Sequence, residues 1–211
     1  MTNGQNSDKS AFLIFGHNGL RNRLAMILNT CDMLRMSWDD ELAELSNRHH
    51  RNCERKLACS SKPPKTIVGL NRESQLQQKM FSGNSTHLAR NHFFHDNIYS
   101  TNFIESAVGN WYMEHTSVEF PTRTISNEND YYQLMGDNSF THIINPQTYR
   151  VGCSYARFPN GLSLICYYFP YVRNTNNTLL LRLKPKDYQC PYNFPISDPV
   201  FKRLCGYAVY L

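Results

Sequence analysis

The chain has 211 residues, 22 basic against 17 acidic side chains, a net charge of +5 and a 41% hydrophobic content. That length suffices for one large domain with its own core, and the apolar and aromatic content excludes a disordered chain. Apolar runs such as Ser163–Phe169 are too short to span a bilayer. The densest basic stretch, Arg48–Lys56, is interrupted by Glu54 and reads as a solvated helix face, so no nucleic-acid partner and no transmembrane segment are expected.

In chain order, the first predicted element is a helix from about Ala11 to Cys31, capped by Ser10. At helical spacing its core stripe is Leu13, Leu20, Leu24, Ile27 and Cys31, with His17 at the edge. A second helix follows Ser37. Asp39, Asp40 and Glu41 lie in its first turn and the Arg/His residues in its last, which suits the helix dipole. From Cys59 to about Asn91 the chain is polar and basic, with Pro63-Pro64, and is predicted to be a long surface excursion with a short helix near Gln75–Lys79. A third helix carries Ile104, Val108, Trp111 and His115 on one face, with Glu114 at its edge. Phe140–Ile144 reads as a short strand. Tyr149–Ala156 and Leu162–Phe169, joined by Pro159-Asn160-Gly161, read as a β-hairpin. Helices first and strands late predict an α+β fold.

Seven cysteines without a CxxC pair argue against a zinc ribbon. Two sequons, at Asn84 and Asn176, are candidate glycosylation sites. Cysteines and sequons together favour an oxidising compartment, although the first ten residues, MTNGQNSDKS, contain no apolar signal-peptide core.

Four segments in order carry a resemblance. They are His17-Asn18-Gly19-Leu20-Arg21-Asn22-Arg23-Leu24-Ala25, then Met36-Ser37-Trp38-Asp39-Asp40-Glu41-Leu42-Ala43, then Trp111-Tyr112-Met113-Glu114. The fourth joins Phe140-Thr141 and Val151-Gly152-Cys153 to Cys166-Tyr167-Tyr168-Phe169-Pro170. Together they resemble the CAP superfamily of cysteine-rich secretory, antigen-five and pathogenesis-related proteins, closest in pattern to insect venom-allergen antigen-five-like proteins. The resemblance implies a three-layer α/β/α sandwich with a central, mainly antiparallel sheet and a cysteine-closed C-terminal tail. On that basis residues 11–174 form the CAP domain, with a basic insertion near 60–92, and residues 175–211 a C-terminal extension. Residues 1–10 are a remnant that lacks the expected signal peptide and cysteine arm. The resemblance also implies disulfides Cys153–Cys166 and Cys190–Cys205. Cys31, Cys53 and Cys59 stay open: in antigen-five proteins the positions matching Cys53 and Cys59 pair with cysteines of an N-terminal arm that this sequence lacks, and the alternative is that the two pair with each other or stay reduced.

The family places two histidines and two acidic groups in an open cleft, and in some members the histidines bind zinc. By alignment Glu114 takes one acidic position and Asp96 the other. Ser139 stands where one histidine is expected, and Glu54–Ala58 offers no histidine for the second. The expectation is therefore no metal, no cofactor and no catalytic residue, with His95 the candidate for a rescued ligand. On a strand, His142 would point away from Ser139. His49 and His115 read as core or rim histidines, and His49-His50 together with His92 as solvated. The function implied is a secreted, extracellular, monomeric and non-enzymatic protein that binds a small hydrophobic ligand or an extracellular protein target. The alternatives are a weak hydrolase using Glu114 and Asp96, or a basic nucleic-acid or membrane-surface module.

Overall fold

The structure, a computed structural model, describes residues 3–30, 32–56, 86–118, 122–124, 131–134, 137–172, 179–183 and 190–206. The predicted excursion before residue 86, both sequons and the pairing of Cys31, Cys53 and Cys59 lie outside the described residues or side chains.

Helix α1 (Asn3–Leu28) starts well before Ser10. Its buried face differs from the apolar stripe. Leu13 and Ala25 are buried, but so are His17, Asn18 and Arg21, whereas Ile27 is 65% exposed. The i, i+4 row that faces the core therefore carries polar groups, and each has a tertiary partner. Asn18 exchanges two hydrogen bonds with the backbone of Met36, at 2.8 and 2.9 Å. Arg21 donates to the carbonyls of Leu34, Ile143, Asn145, Pro146 and Thr148.

The central sheet has the order β1-β5-β6-β2. Strand β1 (Ser37–Trp38) runs parallel to β5 (Arg150–Phe158), and β5 is antiparallel to β6 (Gly161–Val172). On the far side of β6 lies β2 (Thr86–His95), paired antiparallel from Thr86↔Val172 to His95↔Leu162. This corrects the assignment of Thr86–Asn91 to a surface excursion. The stretch is polar in sequence because one of its faces carries Arg90 and His92, while Leu88 and Ala89 are buried.

Helix α2 (Asp40–Lys56) covers one face, over Ile165, Tyr167 and Phe169. Its first turn is capped by Asp39, whose carboxylate accepts from Leu42 N–H at 2.9 Å and pairs with Arg150. Gly152 is required beneath it, since a Cβ there would run into the backbone of Asp39, Leu42 and Ala43. The other face carries α1, α3 (Phe103–Met113) and α4 (Ser139–Ile144) over Val151, Leu164, Cys166 and Tyr168. The result is the three-layer arrangement expected from the resemblance.

The second correction is α4. Phe140–Ile144 is helical, not extended, although its residues favour a strand. Asn138 and Thr141 form a reciprocal cap, and the Glu114 carboxylate accepts the Ser139 N–H at 2.6 Å. A separate antiparallel sheet, β3-β4-β7, joins Thr122–Thr124, Tyr131–Leu134 and Leu179–Arg182, none of them anticipated. A two-stranded sheet pairs β8 (Ile196–Ser197) with β9 (Cys205–Gly206). Cys153 and Cys166 form a disulfide across β5 and β6 with Cα atoms 4.1 Å apart, and Cys190–Cys205 closes the tail at 5.6 Å. Each closes a loop worth about 3 kcal/mol by chain entropy.

Arg21 is fully buried, and desolvation lowers its pKa to about 9, which leaves it cationic at neutral pH. Replacing it orphans several carbonyls at once. Arg21→Met is expected to lower the free energy of unfolding by about 4 kcal/mol in urea titration, with Arg21→Lys only partly compensating. A loss below about 1 kcal/mol would contradict this role.

Candidate functional site: the cleft around Glu114

The C-terminal end of α3, α4 and the middle of β2 meet on one face of the sheet. Glu114 and Ser139, expected together, are together. The contact is carboxylate to backbone, with Asn138 Nδ2 also donating to the Glu114 carbonyl at 3.2 Å. Because α4 is a helix, His142 stands one turn after Ser139 on the same side, not on the opposite face. Its Nδ1 lies 2.6 Å from Asn91 Oδ1 and its Nε2 2.9 Å from Asp137 Oδ1. Its ring packs edge-on against Tyr171, whose hydroxyl donates to the same Asp137 oxygen.

Asn91 was not singled out by the sequence, and it joins this cleft to the core. It is 1% exposed. Its amide N–H groups donate to the Ser139 carbonyl and to the Tyr168 hydroxyl. That hydroxyl lies 2.9 Å from His17 Nε2, and His17 Nδ1 donates to the Leu13 carbonyl. A continuous hydrogen-bonded chain thus runs from α1 through Tyr168 and Asn91 to His142 and Asp137. Burial lowers the pKa of His17 to about 4 and raises that of Tyr168 well above its ordinary value, so both stay neutral near pH 7.

Asp96 and His95 lie elsewhere. Asp96 follows the end of β2 with its side chain 96% exposed, and its carboxylate is 3.5 Å from His95 Nδ1. His95 packs against Phe93 and Phe103, at the opposite end of α3 from Glu114. Eleven residues of helical rise separate those ends by about 16 Å. The asparagine that reaches the cleft is Asn91, four residues before His95.

His115 bonds the Tyr112 carbonyl through Nδ1. His49 is half-buried against the Tyr167 hydroxyl and Arg90. His50, expected in solvent, is 2% exposed and bridges Ser154 and Ser163, and His92 reaches the same Ser163 hydroxyl at 2.9 Å. The α2–sheet interface is therefore polar at this end. Desolvation, reinforced by neighbouring cationic or titratable groups, lowers His49 and His50 to about 4 and His92 in the same direction.

Among the described residues, no group of three or more His, Cys, Asp or Glu side chains is placed to hold a metal ion. The cleft groups are moreover committed to one another. Glu114 accepts from a backbone N–H, and both nitrogens of His142 face oxygen acceptors.

A family model described as the cysteine-rich secretory protein family, CAP, matches residues 15–168, and the chain belongs to that family. Glioma pathogenesis-related protein 1 of Mus musculus is 28% identical over 155 residues, covering 73% of this chain and 49% of that protein. A CRISP/allergen/PR-1 protein of Trittame loki is 26% identical over 205 residues, covering 92% of this chain and 46% of its own length. The chain thus spans about half the length of these curated relatives. Among solved structures, the hookworm platelet inhibitor superposes with a TM-score of 0.60 at 18% identity, over 96% of this chain and 93% of its own. Schistosoma mansoni venom allergen-like protein 4 superposes with a TM-score of 0.53 at 14% identity, over 88% and 98%. These likenesses establish the fold.

Two predictions follow from this geometry. Zinc titration by calorimetry is expected to show no site tighter than about micromolar, and Ser139→His is expected to add at most weak binding, because a single new imidazole leaves too few ligands. A tight one-to-one site in the unmodified protein would contradict this geometry. The second concerns acid. A histidine held neutral by the fold takes up its proton more readily once unfolded. Its stabilising contribution is complete above pH 6.5 and is lost as pH falls toward 4. The buried pair His17 and His50 should each add up to about 1.4 kcal/mol per pH unit to the slope in that window, measured by urea unfolding at stepped pH. A flat profile from pH 7 to 5 would refute it.

Proposed function

We propose that this protein is an extracellular, non-enzymatic member of its family that acts by non-covalent binding of a small hydrophobic ligand or an extracellular protein target. The observation that carries this reading is the commitment of the cleft. Its acid, Glu114, is spent on the first turn of α4, and the histidine position holds Ser139. General acid–base chemistry needs a titrating group within reach of substrate and free to exchange a proton. Asp96, the other carboxylate a hydrolase would need, stands exposed beyond β2.

The family description is secretory, and two disulfides staple the described core and tail, which suits an oxidising compartment. No helix among the described residues is long and apolar enough to cross a membrane.

The test pairs turnover with occupancy. Incubation with peptide and ester substrates is expected to give no hydrolysis above background in either the unmodified protein or Glu114→Gln. Glu114→Ala should still cost about 1 to 2 kcal/mol of stability through loss of the α4 contact. Native mass spectrometry of protein from its own source should show intact disulfides and a retained ligand or partner. A hydrolytic rate abolished by Glu114→Gln while the fold stays intact would overturn the non-enzymatic reading.

A further inference from the structure

A second site lies apart from the Glu114 cleft, where β1 leaves the sheet. Strand β1 pairs with β5 only at Ser37↔Arg150 and Trp38↔Val151. The last rung is Asp39 N–H to the Val151 carbonyl at 3.0 Å, after which Asp39 caps α2 and the chain turns away. Strand β5 continues for seven more residues to Phe158. Phe158↔Gly161 closes the hairpin, so the even-numbered residues of β5 face β6 and the odd-numbered ones face outward. Val151 obeys this phase, since its carbonyl accepts from Asp39 N–H. The short Cα–Cα distance of 4.1 Å at Cys153–Cys166 marks a non-hydrogen-bonded pair and confirms it. The N–H and C=O groups of Cys153, Tyr155 and Arg157 therefore point off the sheet edge, and among the described residues no strand pairs with them.

That edge is the floor of a cavity of about 530 Å³ between the N-terminal part of α1 and α2. The walls differ. On the α2 side stand Asp40 and Glu44; on the other, Leu13, Ile104 and the ring of Tyr155. Glu44 is shared with Arg51 at 2.6 Å, and Asp40 accepts from Trp38 Nε1 at 3.0 Å. Lys9 lies across the Tyr155 ring, 4.1 Å from its centroid, and donates to its hydroxyl at 2.8 Å. A cation thus already rests on this floor, supplied by the chain itself.

We propose that this groove is a binding site for an extended polypeptide segment, which adds to the edge of β5 in the line that β1 vacates and alternates apolar with basic side chains. A strand supplies N–H and C=O groups at the spacing the edge requires. Its side chains point alternately to opposite faces. Apolar ones would meet Leu13, Ile104 and Tyr155, and basic ones Asp40 and Glu44. A small ligand could fill the volume but would leave the row of backbone groups unmatched.

The experiment uses the whole chain and an acetylated, amidated pentapeptide alternating Val and Lys. Controls are the same peptide with Glu for Lys and one N-methylated at alternate amides. Amide exchange is read by NMR. The Val/Lys peptide is expected to bind with a dissociation constant of about 100 µM and to slow exchange at Tyr155 and Arg157 about tenfold or more. The Glu peptide should bind at least about fivefold more weakly, the N-methylated peptide not detectably, and Tyr155→Ala should weaken binding about fivefold. Asp40→Asn, which spares the β5 ladder, should erase the preference for Lys over Glu. Any of three results would overturn the proposal: no binding at about 2 mM, binding without protection of these amides, or equal binding of the N-methylated peptide. So would Tyr155 and Arg157 amides already protected in the free protein, which would mean that another part of the chain occupies the edge.

Discussion

The arrangement depends on one buried cation. Arg21 reaches from α1 into a ring of neutral carbonyls donated by the segment before β1, the end of α4 and the turn into β5. A guanidinium presents its donors in a rigid planar fork, so it fixes the mutual positions of the segments it bonds. Among the described residues no carboxylate is hydrogen-bonded to it; the acid that acts on it electrostatically is Asp32, whose own pKa burial raises to about 6. The cation is held by dipoles, and removing it strands them all. Asn18, one turn earlier, adds a two-way bond to Met36 and sets where β1 begins.

The cleft inherits its geometry from that anchor. Arg21 holds the C-terminal end of α4 at Ile143 and Asn145, while Glu114 and Asn138 hold its start. A helix of six residues has little stability of its own, so these outside contacts are what make it helical. Once helical, it turns His142 toward Asn91 and Asp137. The polar groups of the cleft are thereby bonded to one another, Glu114 to the start of α4 and His142 to Asn91 and Asp137.

The two faces of the sheet are built on different principles. The face under α1, α3 and α4 is a hydrophobic core that includes Trp111, Tyr168 and Leu164, crossed by the His17–Tyr168–Asn91 chain and flanked by the bonds of Asn18 and Arg21. The face under α2 keeps its hydrophobic contacts to Leu42, Leu88, Ile165, Tyr167 and Phe169 and completes the interface with serine and histidine side chains. Protonating those histidines, whose pKa values burial lowers, would cost that second interface stability. Where β1 ends and Asp39 caps α2, no strand among the described residues continues the pairing along the outer edge of β5.

The sequence by itself determined the family, the order of the helices, the central hairpin and the positions of Cys153, Cys166, Cys190 and Cys205, because motifs, turn chemistry and cysteine spacing are local. It also singled out Glu114 and Ser139. It misjudged the core face of α1, since periodicity counts apolar residues and the buried row carries His17, Asn18 and Arg21. It made α4 a strand, because Phe140, Ile143 and Ile144 favour β structure and the deciding acceptor, Glu114, lies 25 residues earlier. It placed Asp96 in the cleft and His50 in solvent for the same reason. Whether a polar side chain is buried depends on partners distant in sequence, and only the packed layers bring those partners within hydrogen-bonding reach.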